Sequence, residues 1–181
     1  MKDYLLLFLF DVVLGFIPQA IGYAICLFAV ANKKLRSKEF LITSAIYAVI
    51  QVVIRMAYNY GIIDFGFHSV IIWMLFIVVA IFYNKAHAVR SAVSIFVSGL
   101  LITVAEVINA AALILILGEA SFNEIMNNTA AMSGKIIKAA CGAPTNLLFL
   151  AIVLLVYYFM NKRRTKLAAA KASAEESDAQ E

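Results

Sequence analysis

Residues 4–38 read YLLLFLFDVVLGFIPQAIGYAICLFAVANKKLRSK, an apolar run over 4–31 interrupted by one charge, Asp11, and closed by Lys33, Lys34, Arg36 and Lys38. A bilayer core of ~30 Å is spanned by ~17–25 such residues, and a basic flank of this kind stays on the cytoplasmic side. Four more apolar runs follow, near 40–60, 67–83, 89–117 and 136–160, and the gaps between them alternate in charge. The third and fifth runs are followed by Lys85 to Arg90 and by Lys162-Arg163-Arg164-Thr165-Lys166. The gaps at 61–66 and 118–135 carry Asp64, Glu119 and Glu124 against Lys135. The pattern predicts an all-α, polytopic bundle of five transmembrane helices over 1–166, N-terminus outside and C-terminus inside. A polar cytoplasmic tail, partly helical, is expected over 167–181.

Composition agrees with a membrane solvent. Hydrophobic residues make up 64% of the 181 and charged residues 14%, where a soluble domain has about 45–50% and about 25%. Of 15 Lys and Arg, 11 fall in the three basic segments; Lys2, Arg55, Lys135 and Lys138 lie elsewhere. The net charge of +4 is therefore topological, and nucleic acid is not an expected partner. The first run is too long for a signal peptide, contains Asp11 and lacks a small-residue cleavage site, so it is expected to remain as the first span. Cys26 and Cys141 fall near opposite faces, without metal-ligand spacing to His or to each other, and read as small packing residues.

Local features refine this picture. Pro18 near the middle of the long first run predicts a kink. Gly142-Ala143-Pro144 predicts a loosened turn in the last helix, and Phe122 to Met126 a short amphipathic turn on the outer surface. The tail is Ala-, Lys- and Glu-rich, so the last helix should run on for a few turns and then fray.

Ionisable groups inside spans are costly and mark candidate sites. With a rise of ~1.5 Å per residue from each run's midpoint, Asp11 lies about 9 Å outward of the midplane, Arg55 about 7–8 Å and Glu106 about 3 Å. Similar depth and opposite charge predict that Asp11 and Arg55 pair. Stripes of small and polar residues, Asp11-Gly15-Pro18-Gly22, Ser44-Ala48-Gln51-Arg55 and Ser94-Ser98-Ala105-Asn109, fit helix contacts bridged by hydrogen bonds. Such glue has no reason to favour one leaflet, yet Asp11, Arg55, Glu106, Asn109 and Asn146 all lie outward of centre, with Gln51 close to it. An outward-facing polar cavity accounts for the asymmetry, with Lys135 and Lys138 as its cationic rim.

No glycine-rich phosphate loop, His-Glu-x-x-His pair or co-located Cys and His is present in the sequence. A non-catalytic protein without metal or cofactor is expected. The order of Asn32 to Lys38, Asn84-Lys85-Ala86-His87-Ala88-Val89-Arg90, Ala105-Glu106, Phe122 to Asn128 and Lys135-Ile136-Ile137-Lys138 resembles the N-terminal membrane domain of AgrC-type, peptide-sensing GHKL histidine kinases. The resemblance covers about residues 1–166 and implies a bacterial inner-membrane domain that binds a secreted peptide outside and signals through its last helix. The chain departs from that family after Lys166, where 15 residues follow without a phosphoacceptor His or an ATP-binding domain. The expected function is a membrane sensor or regulatory module for an extracellular peptide, a small ligand or a partner membrane protein, with a cytoplasmic or membrane signalling partner and scope for a homodimer. The alternative is the substrate-binding membrane subunit of a small-molecule uptake transporter, using the same residues.

Overall fold

The computed structural model describes residues 2–35, 37–59, 62–63, 67–127 and 131–178, excepting the side chains of Asn59 and of residues beyond Leu167. Asp64, assigned above to an outer gap, lies outside the described residues. The described chain is helical throughout apart from its turns. The elements are α1 (Lys2–Phe8), a π-helical segment (Leu9–Phe16), α2 (Ile17–Val30), α3 (Lys38–Asn59), α4 (Phe67–Phe82), α5 (Ala88–Leu117), α6 (Glu119–Asn127) and α7 (Met132–Asp178).

This is a multi-pass membrane protein. Four stretches are long and apolar enough to cross a bilayer: Lys2–Val30, Lys38–Tyr58, Ala88–Leu117 and Met132–Leu167. The third apolar run of the sequence also forms a helix, but α4 has 16 residues, a rise of about 24 Å. Large apolar side chains cover the outside of the bundle; α5 alone exposes Val93, Phe96, Leu100, Val104 and Val107. A surface of that extent has no place in water.

The core is α2. From Pro18 to Ala29 every residue except Ile21 is buried, because α3, α5 and α7 pack around it. In lipid, close packing and hydrogen bonds hold helices together, and small residues permit the approach. Tyr23 and Tyr47 flank Phe76, the latter stacked at 3.9 Å between ring centroids. The Tyr47 hydroxyl donates to the Phe76 carbonyl at 3.0 Å, and Trp73 Nε1 donates to the Tyr23 hydroxyl at 3.0 Å.

The basic connections meet at one end of this core. α2 ends with Asn32 and α4 with Lys85, each in the left-handed backbone region that closes helices. Lys33 Nζ donates to the Asn84 carbonyl at 2.7 Å and pairs with Glu39 at 2.9 Å. Arg164, on α7, donates to Asn32 Oδ1 at 3.0 Å and to the Ala29 carbonyl at 2.8 Å. The chain segments after α2, after α4 and near the end of the last span are thus tied together by hydrogen bonds.

The expected break at Pro18 takes a different form. Proline offers no N–H to the preceding turn, and the helix before it widens to the π register, with the Ile17 N–H donating to the Val12 carbonyl. Pro18 then sits in the first turn of α2, where its missing donor costs nothing. In α7 the helix continues through Pro144 and on to Asp178, about three turns past Lys166; the Ala- and Lys-rich composition favours helix strongly.

At Gly22 α7 packs directly against α2. A Cβ there would strike the ring of Phe149, which is fully buried. We expect Gly22→Ala to cost about 1–3 kcal/mol, as overpacking does, and to lower the midpoint of thermal unfolding in detergent. Phe149→Leu in the same chain should restore part of the loss. An unchanged midpoint for the single variant would contradict this contact.

Candidate functional site

The π segment, α5, α6 and the start of α7 enclose a cavity of about 1050 Å³ at the end of the bundle opposite Arg164. Its volume is at the upper end of the ~300–1,000 Å³ usual for ligand pockets. Each wall has a local cause. The π segment is wider than an α-helix, and within it lie Asp11, Gly15 and Phe16, all of which line the cavity. Asn146 of α7 comes beside Gly15: a Cβ there would lie in ordinary contact, 3.8 Å, with Asn146 Nδ2, and more tightly, 3.2 Å, against the Phe10 carbonyl oxygen.

On α7, Pro144 lies inside the helix and offers it no N–H, and Asn109 of α5 crosses to donate to the Cys141 carbonyl at 2.8 Å. Gly118 ends α5 at φ 81°, ψ 152°, a conformation only glycine adopts freely. The chain therefore turns directly into α6, whose Phe122 and Met126 cover the cavity. The far end of α6 is held by Lys138, whose ammonium donates to the Met126 carbonyl at 3.0 Å.

Seven of the residues singled out from sequence share this one cavity: Asp11, Arg55, Glu106, Asn109 and Asn146 on its walls, with Lys135 and Lys138 from the start of α7. Gln51 does not reach it. Gln51 is fully buried and lines a smaller pocket of about 150 Å³ on the inner side, which shares Gln19, Arg55 and Glu106 with the main cavity. The Asp11–Arg55 pair expected from depth does not form as a contact. Among the described residues the one ion pair within 4.0 Å is Lys33–Glu39. Arg55 instead lies over the Phe16 ring, 5.0 Å from its centroid, a cation–π arrangement, and feels both Asp11 and Glu106 as charges at longer range. Depth along two helices predicts height but says nothing of the azimuth at which side chains point.

Asn109 and Lys138 also have structural work, since each spends a donor on a backbone carbonyl. Of the apolar lining, Leu7, Phe10, Phe16 and Leu113 were not singled out from sequence, because apolar residues inside apolar runs carry no contrast; Phe122 and Met126 belong to the short outer turn expected from it. The site thus joins a greasy wall to one guanidinium, two carboxylates and two ammoniums. Among the described residues no group of three His, Cys, Asp or Glu could hold a metal ion. Both cysteines are free; Cys26 is buried and Cys141 lines the cavity.

Comparison with protein-family models, with curated proteins and with solved structures finds no match for this chain. Its reading rests on its own geometry.

The Asn109 bridge carries a specific expectation. Asn109→Leu removes a donor from the Cys141 carbonyl, and losses of this kind cost about 1–3 kcal/mol where the partner is left unsatisfied. The unfolding midpoint should fall, and amide exchange at residues 139–146 should quicken relative to α2. Unaltered exchange there would mean that α7 keeps its turn without help from α5.

Proposed function

We propose that this protein is a non-catalytic ligand-binding module of a bacterial plasma membrane, with five spans, its N-terminus outside and its C-terminus inside. The α4 helix completes the fifth crossing despite its length. It begins beside the outer gap and ends at Asn84, whose backbone carbonyl accepts from Lys33 in the first basic loop. A crossing is needed to bring residue 84 to that end, and all three basic segments then lie on the cytoplasmic side.

The observation that carries the ligand-binding reading is the placement of charge. Asp11, Arg55 and Glu106, each well inside an apolar run, line a single cavity, and no ion pair within 4.0 Å joins them. Helix glue would bring opposite charges into contact, because an unpaired charge in low dielectric is costly. Charges held apart around a space large enough for a ligand stay solvated until one arrives. The cavity opens away from the basic end and therefore outward, so the ligand is extracellular. The resemblance to peptide-sensing kinase membrane domains points to a secreted peptide or small signal, read out through α7 by a cytoplasmic or membrane partner.

Cys141 supplies the test, since its side chain borders the cavity. In a Cys26→Ser background, Cys141 should react with a membrane-impermeant maleimide in intact cells. Cysteines placed at Ser37 or Thr165, with Cys141 also replaced, should react only after permeabilisation. Spent medium from the producing cells should slow Cys141 labelling where fresh medium does not. Reaction of Cys141 only after permeabilisation would overturn the outward cavity.

Glu106 separates ligand contact from packing. Glu106→Gln keeps shape and hydrogen-bonding capacity but loses the charge. It should leave expression and the basal labelling rate of Cys141 unchanged while reducing protection by spent medium at least about tenfold in effective concentration, the size of one charge-assisted hydrogen bond. Full protection in this variant would assign Glu106 to helix packing.

A further inference from the structure

The inner pocket of about 150 Å³ shares Gln19, Arg55 and Glu106 with the main cavity and extends it toward the bundle centre. By volume it holds on the order of five waters, at about 30 Å³ each. Most hydroxyls around it are already committed. The Tyr23 hydroxyl accepts from Trp73 Nε1, Thr103 Oγ1 donates to the Gly99 carbonyl, and Ser69 Oγ lies 3.2 Å from His68 Nε2. Two atoms stand apart. Gln51 Oε1 and Arg55 Nε are both buried and without a hydrogen-bond partner, and the Gln51 residue is only 1% exposed. They sit four residues apart on α3, hence on one face. One is an acceptor and the other a donor, and a buried group left in that condition costs about 1–3 kcal/mol.

We infer that this pocket is the head-group compartment of the site and takes a neutral group that both donates and accepts hydrogen bonds, of the primary carboxamide kind, at the end of an amphipathic ligand. The inference rests on the ligand-binding reading above. A carboxamide N–H₂ donates to Gln51 Oε1 and to the Glu106 carboxylate, while its carbonyl accepts from Arg55 Nε. A carboxylate in the same place would gain Arg55 but face Glu106, and an ammonium would gain Glu106 but face Arg55, so the attraction each charged head finds is offset by a like charge. The apolar remainder of the ligand lies outward, against Phe16, Phe122 and Met126 in the main cavity.

Trp73 is the sole tryptophan and lines the inner pocket, with its ring packed against Gly99. Its fluorescence is therefore a local reporter. The full chain in lipid nanodiscs would be titrated with hexanamide, hexanoate and hexylammonium. Hexanamide should change Trp73 emission saturably, with an apparent affinity at least about tenfold above either charged homologue. Gln51→Leu should weaken hexanamide about tenfold and leave the two others as weak as before. Should that variant fail to fold, the ranking of the three probes on the native chain still decides.

Equal or better binding of either charged probe, or no saturable response at Trp73, would overturn the inference. A second reporter, Phe122→Trp in a Trp73→Phe background, reads the outer cavity. A saturable response there without one at Trp73 would reject the inner compartment while leaving the ligand-binding reading intact.

Discussion

Pro18 has no N–H, and much of the outer half of the bundle follows from that. A proline deep in a helix normally leaves a carbonyl without its donor and strains the turn before it. Here the eight residues from Leu9 to Phe16 shift to the wider register. The widened segment carries Asp11 and Gly15 into the cavity wall, while α2 proceeds from Pro18 as a regular helix buried on nearly every side. The same residue thus separates an outer half that can leave space from an inner half that is closely packed. π-Helical turns are often found where function requires a local departure from regular packing, and this one borders the main cavity.

The packed half uses aromatic rings and small residues together. Gly22 makes room for Phe149, and Gly99 for Trp73. Tyr23, Tyr47 and Phe76 fill the centre with their polar atoms satisfied. In lipid an unsatisfied polar group has no water to turn to, and Gln51 Oε1 and Arg55 Nε, both buried without a hydrogen-bond partner, stand out beside this satisfied aromatic centre.

The helices and their boundaries were largely legible in the sequence, because apolar run length and basic flanks are direct consequences of a bilayer. The cavity residues were legible for a related reason: Asp11, Arg55 and Glu106 contrast with everything around them, and Lys135 and Lys138 break the charge pattern of the outer gap. What escaped were features without such contrast. The π register has no side-chain signature of its own. The separation of Asp11 from Arg55 depends on azimuth, which depth cannot supply. Arg164 looks like any other member of a topological basic cluster, and nothing in its position along the chain announces that it reaches Asn32 and Ala29.

That last contact has a mechanical consequence. α7 is one uninterrupted helix of 47 residues, with Lys135 near one end and Arg164 fastened to the end of α2 further along. At ~1.5 Å per residue, about 44 Å of rod lies between Lys135 and Arg164 and about 21 Å between Arg164 and Asp178. A rigid rod pinned there is a lever with unequal arms. Were α7 to pivot there as a rigid body, a sideways shift at the cavity would emerge at the far end at about half its size and in the opposite direction, as the ratio of those two lengths requires. With Arg164 as the pivot, shortening or lengthening the helix beyond it would rescale that movement without touching the cavity at all.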